Sequence, residues 1–137
     1  MPNVQLFDKT IGLLQKTLDL RLQNQQTIAS NIANADTPGY APVRLEFEEK
    51  LQQAVNNTSK RPATTHAAHF PIGGGSVDSV QPKLVRVPDK SNIGDRNGVS
   101  VDEEMIALSE NQILYETTIQ MLNKKFGLLK YIAQEGR

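Results

Sequence analysis

The chain has 137 residues, a length that favours one domain with a modest core. Its 15 Lys and Arg balance 15 Asp and Glu, which argues against a nucleic-acid-binding protein, since such proteins carry a basic surface. The absence of cysteine excludes disulfides, thiolate metal sites and cysteine nucleophiles. We expect neither a membrane span nor a cleaved secretory signal, because the apolar runs are too short for either.

An amphipathic helix is predicted over Val4–Ala35. This stretch contains no proline, and its apolar residues recur at spacings of three and four, which places them on one face. The helix should end before Pro38, and Pro38 and Gly39 suit the two central positions of a type II turn. The residues predicted to pack along this helix are Phe7, Ile11, Leu14, Leu18, Leu22 and Ile32.

The middle of the chain, residues 41–99, is predicted to be irregular, and mobile in an isolated monomer. Six of the seven prolines lie between positions 38 and 88, so one regular helix cannot cover it. Val43–Val55 favours a short helix, although its apolar spacing also permits an extended start. Lys83–Pro88 alternates like a short strand. Predicted loops are residues 56–62, 73–78 and 91–98.

The last part of the chain, residues 100–137, has the periodicity of a coiled-coil helix. From Val101 onward the steps alternate between four and three for more than four heptads, and Gln112 alone interrupts the apolar seam. Ser100 and Glu103 have the spacing of a capping box, which marks the start. The residues predicted to pack along this helix are Val101, Met105, Leu108, Tyr115, Ile119, Leu122, Phe126 and Leu129.

These elements predict a mainly α fold in which the two long helices form an antiparallel, coiled-coil-like pair. The irregular middle segment, with a short helix and one or more short strands, would close the pair. We expect one chain in three parts: an N-terminal assembly helix with its turn (1–40), the middle (41–99) and a C-terminal assembly helix (100–137). Two helices cover only half of each apolar seam, so self-assembly or a larger complex would cover the rest.

Residues of catalytic type do not form a convincing site. His66 and His69 could share a metal on a helix, but their surroundings give little helical support and no further ligand completes a set. Gly73–Gly75 lacks the Lys-Ser/Thr that follows a phosphate-binding loop. We therefore predict no catalytic residue, no bound metal and no cofactor.

The end of the first helix is unusual because Asn31 and Asn34 lie one turn apart beside the small Ala33 and Ala35. An ordinary helix terminus explains the Pro and Gly that follow, but asparagine is a mediocre helix former. We expect both amides to bond across a subunit boundary or to the chain's own returning segment. The residues predicted to form this signature are Asn31, Ile32, Ala33, Asn34, Ala35, Asp36, Thr37, Pro38, Gly39 and Tyr40.

The segment Ser30–Tyr40 resembles the N-terminal signature of flagellar rod and hook proteins. Glu46–Glu48, Val101–Met105 and Leu122–Phe126 continue the resemblance, and the short length is typical of the subunits at the proximal end of the rod. The chain departs from the family at Ala41-Pro42, where a lysine is frequent after the signature tyrosine.

The resemblance implies a structural, non-enzymatic subunit of the bacterial flagellar basal-body rod that transmits torque and lies in the periplasm. It implies export through the flagellar type III apparatus without a cleaved signal, and helical assembly through the terminal helices. The implied partners are other copies of the chain, rod proteins such as FlgC, the rod-base adaptor FliE and the export apparatus, with neither nucleic acid nor direct membrane insertion.

Two alternatives remain open from the sequence. One is another rod subunit such as FlgC, which would have the same architecture. The other is a soluble helical-hairpin adaptor or export chaperone, for which the coiled-coil pattern alone would suffice. An enzyme is a third and more distant alternative.

Overall fold

The structure is a computed structural model that describes residues 4–59, 76–87 and 97–135. Two long helices dominate it: α1, Val4–Ala33, and α3, Val101–Glu135. Between them lie strand β1, Val43–Glu46, helix α2, Glu48–Ser59, a short 3₁₀ turn, Val77–Ser79, and strand β2, Lys83–Arg86. The predicted fold class, mainly α with long terminal helices and a mixed middle, is confirmed.

The long helices run antiparallel and pack against each other. Asn24 Nδ2 donates to Asn111 Oδ1 at 3.0 Å, and one heptad away Asn31 Nδ2 donates to Glu104 Oε2 at 3.1 Å. A step of seven residues up α1 therefore corresponds to a step of seven residues down α3. This relation defines an antiparallel pair and gives its register.

Helix α1 ends two residues earlier than the predicted Ala35. Its ladder changes at the end to shorter bonds, from the Asn34 amide to the Asn31 carbonyl at 3.1 Å and from the Ala35 amide to the Ile32 carbonyl at 3.1 Å. Such i→i+3 bonds tighten a last turn and stop the helix. The type II turn is confirmed, because the Tyr40 amide donates to the Thr37 carbonyl and Gly39 has φ +73°.

The segment predicted as one short helix divides into a strand and a helix, so its alternative extended start was correct. Val43–Glu46 pairs antiparallel with Lys83–Arg86, with Val43 opposite Arg86 and Glu46 opposite Lys83. This pairing confirms the second strand. It also explains why residues 43–46 are extended and not helical, because β2 supplies the hydrogen-bond partners for their backbone groups.

Helix α2 then continues to Ser59, so residues 56–59 are helical and not the predicted loop. Residues 77 and 78, also predicted as loop, form a 3₁₀ turn whose N-cap is Ser76. The remaining loop predictions at 60–62, 73–75 and 91–96 lie outside the described residues, as do His66 and His69.

The apolar core of the described chain lies between α1 and the middle segment, not between the two long helices. Its fully buried side chains come from four different elements or turns, and three half-buried residues pack against them. The buried members are Leu20, Phe47, Ala54 and Val80, and the residues around them are Leu45, Leu51 and Val77. Because Leu20 joins this cluster, one side of α1 is held by the middle segment while another contacts α3.

Candidate assembly site

Asn31 joins the end of α1 to two other elements. Its side chain is completely buried. The amide nitrogen donates to the Val43 carbonyl at 2.8 Å and to Glu104 Oε2 at 3.1 Å. The amide oxygen accepts from the Val43 amide at 2.9 Å and from the Tyr40 hydroxyl at 3.2 Å. Both donors and both acceptor sites are thus used, and Asn31 fixes β1 and α3 against the signature turn.

A buried ion pair completes this junction. Glu104 is 0% exposed, and its Oε1 lies 2.5 Å from Nη1 of Arg44, whose side chain is 38% exposed. These two atoms contact as charges and do not meet hydrogen-bond geometry. A carboxylate removed from water needs an opposite charge and hydrogen bonds, which Arg44 and Asn31 provide. The first turn of α3 is thereby tied to β1.

Asn34 behaves differently from Asn31. Its side chain donates to the Ser30 carbonyl at 2.8 Å and accepts from the Thr37 hydroxyl at 3.2 Å, so it bonds within its own turn. Asn31 makes the expected bonds to the returning segment. Asn34 does not, and its alternative, a bond across a subunit boundary, stays a prediction. A local cap uses the same residue type as a long-range bond, and the sequence does not distinguish them.

Asn97 is a further residue of the junction that sequence reasoning missed. Its Nδ2 donates to the carbonyl of Ala35, and the next amide, Gly98, donates to the Tyr40 carbonyl at 3.3 Å. Its Oδ1 accepts from the Val99 amide at 3.0 Å. The signal in the sequence was an asparagine three residues before the helix cap at Ser100, whose hydroxyl accepts from the Glu103 amide at 3.5 Å.

The contact between α1 and α3 is lined by polar side chains at heptad spacing. We call this set the polar ladder. On α3 its members are buried, and on α1 they lie opposite them in the register given above. The ladder consists of Asn31, Asn24 and Thr17 on α1 and Glu104, Asn111 and Thr118 on α3.

The rungs of the polar ladder have their hydrogen bonds within the protein, except that Glu104 Oε1 meets Arg44 as a charge and not through a hydrogen bond. Asn111 Nδ2 donates to the Arg21 carbonyl at 2.9 Å, while its Oδ1 accepts from Asn24. The hydroxyls of Thr17 and Thr118 donate to carbonyls four residues earlier in their own helices, at 2.8 and 2.7 Å. The apolar periodicity of the sequence does not predict this repeat, although Asn and Thr recur in it at a spacing of seven residues.

The residues predicted for helix packing flank the polar ladder and do not fill it. Most are half-buried: Ile11, Leu14, Leu18, Ile32, Leu108, Tyr115, Ile119, Leu122 and Leu129. Four are exposed: Leu22, Val101, Met105 and Phe126. The side chain of Phe7 lies outside those described. The exposed four do not pack within the chain, and their packing between subunits stays a prediction.

Helix α3 exposes much more apolar surface than the rest of the described chain. The described residues include thirteen large hydrophobic residues that are exposed, and ten of these lie on α3. At 3.6 residues per turn, six of these lie within a sector of roughly 100° beside the polar ladder, which begins near the ladder at Leu114 and Ile132 and extends to the opposite side of the helix at Ile113. We call them the outer face: Ile106, Ile113, Leu114, Met121, Leu128 and Ile132. Glu110 and Lys124 lie among them.

Other chemistry is sparse in the described residues. They contain no group of three or more His, Cys, Asp or Glu side chains placed to hold a metal ion. None of their helices has an apolar stretch sufficient to cross a bilayer. The pKa of Tyr131 is raised above its ordinary value, chiefly because its side chain hydrogen-bonds with Glu135. That pair lies on exposed α3, far along the chain from the junction.

Comparison with known proteins identifies the signature region and the chain as a whole. Residues 14–40, which end at the signature tyrosine, match the family model for the flagella basal body rod protein. The flagellar basal body rod protein FlgB of Aeromonas hydrophila is 34% identical over 130 residues, covering 94% of this chain and 96% of that protein. The chain belongs to the FlgB family of flagellar basal-body rod proteins.

Other FlgB proteins are similar over the whole length as well. FlgB of Bacillus subtilis (strain 168) is 32% identical over 134 residues, which is 98% of this chain and all of that protein. FlgB of Yersinia ruckeri is 32% identical over 143 residues, covering 96% and 100% of the two chains. The resemblance to rod and hook proteins is confirmed, and the chain is a structural subunit of the flagellar basal-body rod. The adaptor and chaperone alternatives are not favoured.

Proposed function

We propose that the subunit enters the rod by burying the outer face of α3 against helices of neighbouring subunits. This proposal is supported by the difference between two faces of α3. Buried polar side chains contact α1, whereas large apolar side chains such as Ile113, which is 63% exposed, point away from it. Contiguous exposed apolar surface is uncommon on monomeric proteins and marks association sites. Removing it from water stabilises an assembly in proportion to its area.

The signature turn has a second role in this proposal, which is to make the subunit stiff. Asn31, Arg44 and Glu104 connect α1, β1 and α3 at one end of the helix pair. A subunit that transmits torque must not hinge where its helices meet the middle segment. A junction of this kind resists such bending, because opening it exposes a charge pair and four hydrogen bonds together.

The partners we propose follow from family membership and from the resemblance. They are other copies of the chain, other rod proteins such as FlgC, the rod-base adaptor FliE and the flagellar type III export apparatus. We place the assembled subunit in the periplasmic part of the basal body, after export without a cleaved signal. Its role is structural and not enzymatic, and the three-part division at residues 40/41 and 99/100 belongs to the same proposal.

Complementation of a strain that lacks its own copy of the gene tests the outer face. Ile113→Glu and Met121→Glu each place a charge where the proposal buries an apolar side chain, so we expect loss of motility and of isolated rods. Asn123→Glu adds the same charge at an exposed polar position of the same helix and should leave both intact. Motile cells carrying either outer-face variant at matched protein level would refute the proposal.

A further inference from the structure

The polar ladder is unusual because it occupies the positions at which antiparallel helices usually bury apolar side chains. Glu104 and Asn111 are 0% and 2% exposed. Glu104 and Asn111 lie seven residues apart on α3, and their partners Asn31 and Asn24 lie seven residues apart on α1. Buried polar side chains weaken a helix pair in comparison with well-packed apolar ones. Something other than strength of pairing must therefore account for them.

The apolar residues that flank the ladder on α3 do not by themselves fix the alignment of α3 with α1. On α3 they recur with the same heptad period, at Leu108, Tyr115, Leu122 and Leu129, all half-buried. Sliding α3 by seven residues brings the next of these residues into the place of the last. A seven-residue slip of about 10 Å thus exchanges one apolar contact for a similar one.

The polar ladder distinguishes these alignments. A slip in one direction places Glu104 opposite Asn24 and removes it from both Arg44 and Asn31, so that a buried carboxylate loses its guanidinium. A slip in the other direction carries Glu104 beyond the end of α1, to the level of Pro38, and so also separates it from Arg44 and Asn31. Either slip leaves buried polar groups without partners.

We infer that the polar ladder selects one alignment of α1 and α3, at the expense of pairing strength. It keeps the signature turn beside the first turn of α3, and so fixes where the outer face stands relative to the rest of the subunit. Single polar residues set register in this way in coiled coils. The inference concerns the folded chain alone and does not depend on the proposed function.

Disulfide trapping measures the alignment directly, because the chain has no cysteine of its own. In the observed register Leu14 and Leu122 lie on the same side of the polar ladder, three residues before Thr17 and four residues after Thr118. After a slip of seven in either direction, Leu14 faces Tyr115 or Leu129 instead. Three double-cysteine proteins therefore report the three alignments: Leu14→Cys combined with Leu122→Cys, Tyr115→Cys or Leu129→Cys. A disulfide needs Cα atoms within about 7 Å, so a pair one heptad out of place does not close.

The test compares these reporters in the parent chain and in the ladder variant Glu104→Leu/Asn111→Leu, which replaces two buried polar side chains of α3 by apolar ones. A matched control, Gln23→Leu/Gln120→Leu, adds the same apolar groups at exposed positions. Cross-links are read from monomer bands on non-reducing gels, and helical content from circular dichroism. We expect the parent and the control to close the Leu122 pair alone.

In the ladder variant we expect helical content to persist. The yield of disulfide between the cysteine pairs that report a slipped alignment should rise by about tenfold, which is the change in an equilibrium that the loss of one net hydrogen-bonded pair produces. A ladder variant that still closes only the Leu122 pair would overturn the inference. Loss of helical content in that variant would overturn it too, since the ladder would then serve stability and not alignment.

Discussion

Asn31 and Asn34 are the same residue type three positions apart, and their surroundings differ in every respect that matters for stability. Asn31 is buried and bonds to two other elements, whereas Asn34 caps its own helix and is half-buried. From the sequence the two were equivalent. Which asparagine faces the returning chain depends on where β1 and α3 arrive, and local spacing does not contain that information.

The pair gives a matched test at the residue scale. Asn31→Ala removes the partners of the part-buried carbonyl and amide of Val43 and of the buried Glu104 carboxylate, so we expect a loss of about 2–3 kcal/mol in the free energy of unfolding. Asn34→Ala should change it by less than about 0.5 kcal/mol, because a better helix former offsets a lost local bond. Urea denaturation measures both. Equal effects of the two substitutions would show that the junction does not exist as described.

Glycine substitutions provide a second residue-scale test, with opposite signs at two positions. Gly39 has φ +73°, a conformation that a side chain disfavours, so Gly39→Ala should lower the free energy of unfolding by about 1–2 kcal/mol. Gly127 lies inside α3, and a methyl group added there would meet nothing within 4 Å. Gly127→Ala should raise stability by about 0.5–1 kcal/mol. Thermal melts that shift in the same direction would contradict this assignment of the turn.

At the scale of elements, the sequence predicts the long helices well and their contact poorly. The period of α3 and the stop after α1 are local features, and both helices appear within two residues of the expected ends. The face that α3 turns toward α1 is not local. This face is the one on which Glu104 and Asn111 find partners on α1 and β1. The partners of these polar residues, more than the number of apolar residues on a face, therefore determine which face of α3 contacts α1.

The docking of α3 onto β1 yields a prediction at this scale. Arg44→Leu strands the buried carboxylate of Glu104 and should cost about 2–3 kcal/mol, less than for a fully buried pair because Arg44 is partly exposed. Adding Glu104→Leu should recover most of that loss, since no charge is then left unpaired. Arg86→Leu, at an exposed position of β2, is the control. A double variant as unstable as the single one would contradict this view of the pair.

At the scale of the whole molecule, the subunit has a small core at one place and a large apolar surface at another. The core joins α1 to the middle segment around Leu20 and Phe47, where the Arg21 guanidinium also lies 5.0 Å from the ring centre of Phe47. Strand β1, which carries part of this core, forms because it pairs with β2. The alternation of Lys83–Pro88 predicts β2, but no local pattern indicates that these two distant segments pair. The apolar excess of α3 was visible in the sequence and requires an assembly to account for it.

The central claim is that the outer face of α3 becomes buried between subunits. Thiol labelling tests it most directly, since the chain has no cysteine and Met121→Cys introduces one at a position that is 53% exposed. The same measurement on Glu116→Cys gives the comparison, because Glu116 is an exposed position of α3 that belongs neither to the outer face nor to the polar ladder. We expect a maleimide to label both proteins readily as monomers, and to label Met121→Cys poorly once it is assembled in isolated rods. Equal labelling of Met121→Cys in monomers and in rods would contradict the account.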